Sequence, residues 1–293
     1  MRKRKLGDRY DGFIIKSKVD PFFKLIPHIM RTRVDSMVFF EEEIDLEPIE
    51  KFIRAKRNSG IKDIKILHII MSSFVRTVSQ KPQLNRFVIG RKIFARNHLC
   101  LSLAIKRGLA EDSEETVIKP DFDFSDTIYD VKQKLNDAYV DSTSEGARNE
   151  ADKLSKLIGS CPNFFIHFLV FFFRNLDKIG LMPKAIAKIS PFHSTAFFTD
   201  VGSIGVGSVY HHIYEFGTTS IFLAIGKKET KLELNSDGSI SKKKYLVLKI
   251  VLDERICEGY LYSSAMRQFK RILQKPEQLE SPPLTFVEDP LVS

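Results

Sequence analysis

A group of chemically reactive side chains of mixed type lies at residues 253–259, which read Asp-Glu-Arg-Ile-Cys-Glu-Gly. The group follows a long apolar segment and precedes an amphipathic one, so we expect a turn between a strand and a helix. Its four charges need partners or a position at an interface, because burying an unpaired charge is costly. The segment is compatible with an acid–base cluster and also with a structural ion-pair turn.

Other motifs carry less chemistry. Gly202, Gly205 and Gly207 have the order G-x-x-G-x-G and precede a predicted strand, so they indicate a tight turn and not a dinucleotide site. His211 and His212 are adjacent, and neighbouring residues of a strand point to opposite faces, so we predict no metal site. The sequence contains no nucleophile elbow, zinc-protease or phosphate-loop motif, and no nucleic-acid-binding module.

The composition is that of a globular protein. The chain has 293 residues, 43% hydrophobic and 28% charged, which excludes disorder and fibrous repeats. The net charge of +9 favours anionic partners such as nucleic acid, anionic lipid or a phosphorylated small molecule. Cys100, Cys161 and Cys257 lack zinc-finger spacing, and no apolar run follows the basic start. We therefore expect a cytoplasmic protein.

Periodicity predicts alternating helices and strands. Residues 64–78 have apolar side chains at helical spacing, and this helix should end at Lys81-Pro82. Another helix should run from Pro48 to Asn58, and a last one over 260–273. Strands are expected at 38–44, 86–95, 99–106, 196–201, 209–214, 220–225, 231–235 and 240–252, with a hairpin turn at 235–238. This order predicts an α/β (α+β two-layer) fold in a single domain.

Two segments have a biased composition. Residues 111–130 carry eight acidic side chains, and we interpret them as a solvated loop that leads into a helix capped by Ser125. Residues 164–173 are mostly Phe, but spanning a bilayer takes about 20 apolar residues. Two interpretations of this Phe-rich run stay open: a core or subunit contact, and contact with a membrane surface.

Several motifs occur together in the order known from one enzyme family. Residues 253–259 resemble the closing motif D-H-R-x-x-D-G of the acyltransferase component of 2-oxoacid dehydrogenase complexes, and chloramphenicol acetyltransferase has a related motif. Residues 81–85, Lys-Pro-Gln-Leu-Asn, resemble the P-x-L-N of that family, and residues 198–202, Phe-Thr-Asp-Val-Gly, resemble its T-[ST]-N-x-G. The resemblance covers residues 20 to 276 and extends to the small stand-alone proteins grouped with that catalytic domain.

The resemblance implies a chloramphenicol acetyltransferase-like fold, with a central mixed sheet and helices packed on one side, assembled as a homotrimer. It implies a site between subunits for coenzyme A or acyl-CoA and an acceptor thiol, without metal or covalently bound lipoyl. In the family, the motif His deprotonates the thiol and a hydroxyl stabilises the oxyanion. The positions that match catalytic residues are Glu254, Thr199, Asp200 and Glu258, and those that match structural residues at the site are Arg255, Gly259, Gly202 and Asn85.

The match departs from the family at the base, because Glu254 occupies the position of the motif His. A thiol with a pKa near 8.5 would have to protonate a carboxylate with a pKa near 4.3, which is uphill by about 4 pKa units or roughly 5–6 kcal/mol. Glu258 would orient the turn through Arg31 or Arg33. Two functions therefore stay open: acyl transfer from a CoA thioester, and a catalytically inactive trimeric homologue that serves as a binding or scaffold protein.

We divide the chain into a basic N-terminal arm at 1–20, a single acyltransferase-like domain at 21–280 and a C-terminal tail at 281–293. Within the domain, residues 157–190 form an apolar helical insertion relative to the complex-bound enzymes, and no segment matches a lipoyl or peripheral subunit-binding domain. The expected partners are two further copies of the chain and no nucleic acid, and a membrane surface is the alternative contact for residues 164–173.

Overall fold

The computed structural model describes residues 3–16, 19–108, 115–143 and 150–292. The strands are β1 Gly12–Ile14, β2 Met37–Asp45, β3 Arg86–Ile89, β4 Lys92–Arg96, β5 Leu99–Lys106, β6 Glu115–Ile118, β7 Asp121–Phe122, β8 Ala196–Asp200, β9 Ile221–Leu234 and β10 Ile240–Asp253. The helices are α1 Pro21–Ile29, α2 Glu47–Asn58, α3 Ile66–Gln80, α4 Ile128–Thr143, α5 Glu150–Gly159, α6 Asn163–Lys178, α7 Lys184–Ile189 and α8 Gly259–Gln274.

The central sheet is mixed. Its strand order is β2-β10-β9-β8-β5-β6, with β7 also paired to β5. Strand β8 runs parallel to both of its neighbours, and the remaining pairs are antiparallel. Strands β1, β4 and β3 form a second, smaller sheet. The α/β prediction is confirmed.

The two faces of the central sheet are covered differently. Along β8, Ala196 and Phe198 belong to the large core with the buried sides of α2, α3, α4 and α8. Phe197 lies on the opposite face in a small cluster with Phe222 and Val251, covered by Ile213 of an irregular segment. Because side chains alternate along a strand, Thr199 shares this second face, which we call the open face.

One predicted strand is in fact a hairpin. The single strand expected over 86–95 is divided into β3 and β4 by a turn in which Gly90 and Arg91 have φ angles of 56° and 61°. Two-residue turns with positive φ at both central positions match the twist of a hairpin. The sequence hid the turn, because an Arg rarely adopts positive φ.

The β-rich second half differs from the prediction in two places. Residues 209–214 form no strand and lie as an irregular segment, with Ile213 against the open face. The strands expected at 220–225 and 231–235 are one continuous strand, β9, which pairs with β10 across an irregularity at Leu246/Leu248. The predicted hairpin turn at 235–238 is confirmed, with Gly238 at a φ of 81°.

The acidic segment contains more structure than a loop. Residues 115–118 and 121–122 are strands β6 and β7, while 111–114 lie outside the described residues. The cap expected at Ser125 is wrong: Thr127 caps α4, because its hydroxyl accepts from Asp130 N and its own N–H donates to the Asp130 carboxylate. This reciprocal arrangement outcompetes the earlier serine as a helix start.

Both ends of the described chain pack onto the core. Within the predicted basic N-terminal arm, β1 pairs with β4, and Arg9 and Asp11 are buried. In the tail, Asp289 forms a buried ion pair with Arg86, with Nε and Oδ2 2.6 Å apart. These terminal segments therefore stabilise the smaller sheet.

Candidate active site

The turn after β10 is anchored by a buried ion pair. The Asp253 carboxylate is fully buried and accepts from the Nε and Nη2 atoms of Arg255 at 2.8 and 2.7 Å. Ser36 Oγ donates to the same carboxylate at 2.9 Å, and Arg255 Nη1 donates to the Met30 carbonyl. Because each charge has its partner, the turn from Asp253 to Arg255 is held rigidly under the helix α8 that follows it.

The other two charges of the turn face solvent. Glu254 and Glu258 are both exposed. Arg33 donates instead to the carbonyl oxygens of Glu215 and Val88, each at 3.0 Å. The part of the chain that is described contains no hydrogen bond from Arg31 or Arg33 to Glu258. Glu254 therefore lies on a fixed turn with its carboxylate accessible.

Cys257 is unsuited to act as a nucleophile at this turn. Its thiol is buried, and burial raises the pKa of Cys257 to about 12. A thiol reacts as its thiolate, which is scarce when the pKa is so high. Any thiol chemistry at the turn must therefore come from a bound acceptor.

The end of β8 presents a hydroxyl and a partly buried carboxyl. Thr199 is half-buried on the open face, opposite Ala224 of β9. Burial raises the pKa of Asp200, whose side chain accepts from Ser203 N and starts the turn at 201–204. A side chain at Gly202 would collide with the Gly226 carbonyl, so only glycine lets this turn lie against β9.

Thr199 and Glu254 lie far apart within one chain. The register places Thr199 opposite Ala224 and Ala224 opposite Lys249, two strands across the sheet. Glu254 follows Lys249 by five residues in the direction of β10. With strands about 4.8 Å apart and a rise of about 3.3 Å per residue, the two side chains are separated by more than about 15 Å. A site that uses both needs them from two copies of the chain.

Asn85 connects three segments of the fold through side-chain hydrogen bonds. Its amide Nδ2 donates to the His98 carbonyl at 2.9 Å, and its Oδ1 accepts from Thr195 Oγ1 at 2.6 Å. These bonds tie the end of α3 to the starts of β5 and β8. Gly259, the first residue of α8, has open space where a Cβ would lie. These two family-matched positions therefore differ, because Asn85 is held by specific contacts and Gly259 is not.

A second buried polar cluster escaped the sequence analysis. Asp177, at the end of α6, accepts from Arg9 Nη2 at 2.6 Å and lies 3.1 Å from His193 Nε2. His193 Nδ1 in turn lies 2.8 Å from Ser190 Oγ, and Asp11 accepts from Arg9. The order of groups resembles a Ser-His-Asp triad, but it is buried and Arg9 occupies the carboxylate. No local motif could reveal it, since the partners are 168 residues apart.

One group of side chains has metal-ligating types. His98, Cys100 and Asp121 place one donor atom each within 4.8 Å of one another. The Lys119 ammonium lies beside this group, and it donates to the carbonyls of Ala187, Ser190 and His193. Burial lowers the pKa of Lys119 to about 8, which leaves it mostly charged at neutral pH. The group is therefore a poor host for a cation.

The Phe-rich run forms helix α6, and its apolar side is uncovered in the single chain. Phe164, Phe168 and Phe171 are 75%, 57% and 67% exposed, and Phe165 and Phe172 are also exposed. No helix among the described residues is long and apolar enough to cross a membrane. Helix α6 therefore leaves an apolar surface exposed.

Comparisons with known proteins show similarity of fold but not of sequence. No family model matches the sequence, and no curated protein matches it. A structure from Listeria monocytogenes, described as a probable dihydrolipoamide acetyltransferase, superposes with a TM-score of 0.58 at 15% identity, over 89% of this chain and 94% of that one. The dihydrolipoamide acetyltransferase of Azotobacter vinelandii gives 0.53 at 13% identity, over 90% and 94%.

A chloramphenicol acetyltransferase structure is similar as well, with a TM-score of 0.51 at 8% identity over 89% of this chain and 99% of that one. The overall fold therefore recurs although few residues are shared. The chain has the chloramphenicol acetyltransferase-like fold of the dihydrolipoamide acetyltransferase catalytic core.

Proposed function

We propose that the chain is an acyltransferase that moves an acyl group from a CoA thioester to an acceptor thiol, in a site shared by two copies of a homotrimer. The observation that carries the proposal is the arrangement of Glu254 and Thr199. Glu254 is exposed on a turn fixed by the Asp253–Arg255 pair, and Thr199 lies on the open face more than about 15 Å away. Each side chain is available, and neither can complete a site alone.

The proposed reaction is a thiol–thioester exchange. Glu254 of one copy accepts the proton of the acceptor thiol, and the thiolate attacks the thioester carbonyl. The hydroxyl of Thr199 from another copy donates a hydrogen bond to the tetrahedral oxyanion. The bond from carbon to the CoA sulfur then breaks, and the departing thiolate takes the proton back from Glu254.

A carboxylate is a weak base for a thiol, so the environment has to contribute. In the single chain Glu254 faces water. A second copy placed over the turn would exclude that water, and desolvation favours the protonated form of a carboxyl group. The proposal therefore ties catalysis to assembly of the trimer.

The open face supplies a surface for that assembly. Phe39 and Tyr210 are half exposed and pack edge to face, with ring centroids 5.4 Å apart. The Lys249 ammonium lies 4.9 Å from the Tyr210 ring centroid, in the same row of the sheet as Thr199. An exposed aromatic pair near the candidate hydroxyl is typical of the centre of an interface.

The proposal is tested by acetyl transfer from acetyl-CoA to dihydrolipoamide. We expect Thr199→Val to lower the rate by about 100-fold, which is typical for one oxyanion donor, and Glu254→Gln to lower it as well. Glu277→Gln, at an exposed glutamate remote from the motif, is the matched control. A wild-type rate equal to the uncatalysed one, or a Glu254→Gln variant as active as the control, would overturn the proposal.

The alternative is a catalytically inactive trimeric scaffold. It is favoured by one observation, the carboxylate at the position where the family has its base. Under this alternative the trimer persists but thioester exchange is absent in wild type and in every variant. Sedimentation and the transfer assay on the same preparation separate the two functions.

We further propose that α6 contacts a membrane surface. Its exposed Phe side is followed by four cations, Arg174, Lys178, Lys184 and Lys188, which suit anionic headgroups. Phe168→Asp should abolish co-sedimentation with anionic vesicles and leave the trimer intact. Phe39→Asp should dissociate the trimer and leave co-sedimentation with anionic vesicles intact. Loss of the trimer in Phe168→Asp would instead assign α6 to the subunit interface.

A further inference from the structure

A cationic cavity lies between the insertion and the smaller sheet. It has a volume of about 500 Å³ and is bounded by residues 31–33, by the turn between β3 and β4, and by the end of α6. Its cationic lining residues are Arg31, Arg33, Arg91, Arg174, Lys178 and Arg255. The acidic side chains that line it are Asp177 and Glu215. Neither Glu254 nor Thr199 belongs to the lining, and the cavity meets the proposed acyl-transfer site only at Arg255 of the motif turn.

Both acidic side chains are already engaged. Asp177 accepts from Arg9 and lies against His193. Glu215 accepts from the backbone N–H of Arg33 at 2.8 Å and lies 3.6 Å from Arg174. Their charges are therefore compensated, and they leave an excess of positive charge on the walls.

The remaining cations are available. Arg255 is committed to Asp253. Within the described residues, the exposed side chains of Arg31, Arg91 and Lys178 have no ion-pair or hydrogen-bond partner. Three free cations beside a concave surface create a strongly positive potential, because the low-dielectric walls focus the field.

A buried donor in the wall also lacks an acceptor. Arg33 is only 3% exposed, and its Nη atoms donate to the carbonyls of Val88 and Glu215. Its Nε–H has no hydrogen-bond partner. Burial lowers the pKa of Arg33, against the opposing effect of Asp253. A buried guanidinium with a free N–H requires an acceptor, and an anion in the cavity would supply one.

The turn that carries Arg91 is strained and tightly placed. Arg91 adopts a φ of 61°, a left-handed conformation that is unfavourable for a residue with a Cβ. A Cβ at the adjacent Gly90 would lie 2.8 Å from the Lys178 carbonyl, so the turn lies directly against the end of α6. Backbone strain of this kind concentrates at ligand sites, where it holds a side chain in position.

We infer that the cavity binds the phosphoryl group of a small, multiply charged phosphate. Five arginines line it, and guanidinium groups match phosphate oxygens in pairs and favour a dianion over a single carboxylate. The ligand need not be the acyl donor, and the inference does not depend on acyl transfer.

The experiment is calorimetric titration with inorganic pyrophosphate at low salt. The cavity variant combines Arg31→Gln, Arg91→Gly and Lys178→Gln, all at exposed positions. The matched control removes the same charge from helix α2 through Lys51→Gln, Arg54→Gln and Arg57→Gln. We expect the dissociation constant to rise at least tenfold in the cavity variant and less than threefold in the control. An undetectable heat in wild type, or equal weakening in both variants, would overturn the inference.

Two further probes identify the source of the phosphate. Adenosine 3′,5′-bisphosphate that displaces pyrophosphate would indicate the nucleotide end of CoA. Vesicles with phosphatidic acid that bind wild type but not the cavity variant would indicate a lipid headgroup. Either result supports the site. An absence of acyl transfer in wild type together with pyrophosphate binding would reject the proposed function alone.

Discussion

Two buried charge clusters hold two exposed segments, and they are built differently. At the turn after β10, Asp253 and Arg255 are two residues apart and satisfy each other. Beneath the Phe-rich helix, Asp177 joins Arg9 and His193 across three separate segments. The first cluster fixes the candidate base Glu254, and the second fixes α6 and one wall of the cationic cavity. The comparison indicates that the first pair fixes its turn through residues close in sequence, whereas the second cluster joins segments that are distant in sequence.

The largest expected effect is on the local cluster. Asp253→Asn leaves Arg255 buried without a counter-charge, and breaking a buried ion pair in this way costs about 3–5 kcal/mol. Asp177→Asn should cost less, about 1.5–3 kcal/mol, because Arg9 keeps its ion pair with Asp11. Urea unfolding of the two variants checks the order. Equal losses would contradict the difference between the clusters, and Glu254→Gln is the exposed control.

The second expected effect concerns the base. Glu254→His raises the reference pKa of the proton acceptor from near 4.3 to near 6.5, which is worth roughly 3 kcal/mol or about 100-fold in thiol–thioester exchange. Acetyl transfer to dihydrolipoamide measures it. An unchanged rate with intact CoA binding would show that the carboxylate at this position is not the limiting feature.

A third effect distinguishes the clusters by pH, because only the distant one contains a histidine. Burial lowers the pKa of His193, and elsewhere it lowers the pKa of His68 to about 4 and of His98 to about 3. In the unfolded chain these groups titrate near 6.5. As the pH falls, the histidines of the unfolded chain bind protons before those of the folded chain. The contribution of these neutral histidines to the free energy of unfolding is therefore fully present above about pH 6.5 and decreases as the pH falls below it.

We expect a loss of about 2 kcal/mol for each of His68 and His98 between pH 7 and pH 5, and a further loss in the same direction from His193. Urea unfolding at the two pH values measures the loss, and His193→Gln should remove part of the dependence. A free energy of unfolding that is constant over this range would contradict the burial of neutral histidines.

The smallest expected effect is at the exposed face of α6. Phe168→Asp should change the free energy of unfolding by less than about 0.5 kcal/mol, as surface substitutions generally do. Phe198→Ala, at a fully buried Phe of β8, should cost about 3–5 kcal/mol and is the reference for a core position. A large loss in Phe168→Asp would show that α6 is part of the core.

Sequence reasoning predicted what depends on local pattern. The amphipathic helix α3, the turn at 235–238 and the motif at 253–259 all have their cause within a few residues. It failed where distant contacts decide. The turn between β3 and β4 lies against α6, where a Cβ at Gly90 would be 2.8 Å from the Lys178 carbonyl, and residues 209–214 stay irregular while lying against the open face. The Arg9–Asp177–His193 cluster has no local pattern at all.

The claim that the site is shared between copies is tested most directly by titrating CoA into wild type and into Phe39→Asp, with sedimentation of both. Phe39 is exposed on the open face, and the substitution should dissociate the assembly without unfolding the subunit. The account predicts that the wild-type trimer binds one CoA per chain and that the dissociated variant binds none. Equal CoA binding by a folded monomer, or no binding by the trimer, would contradict it.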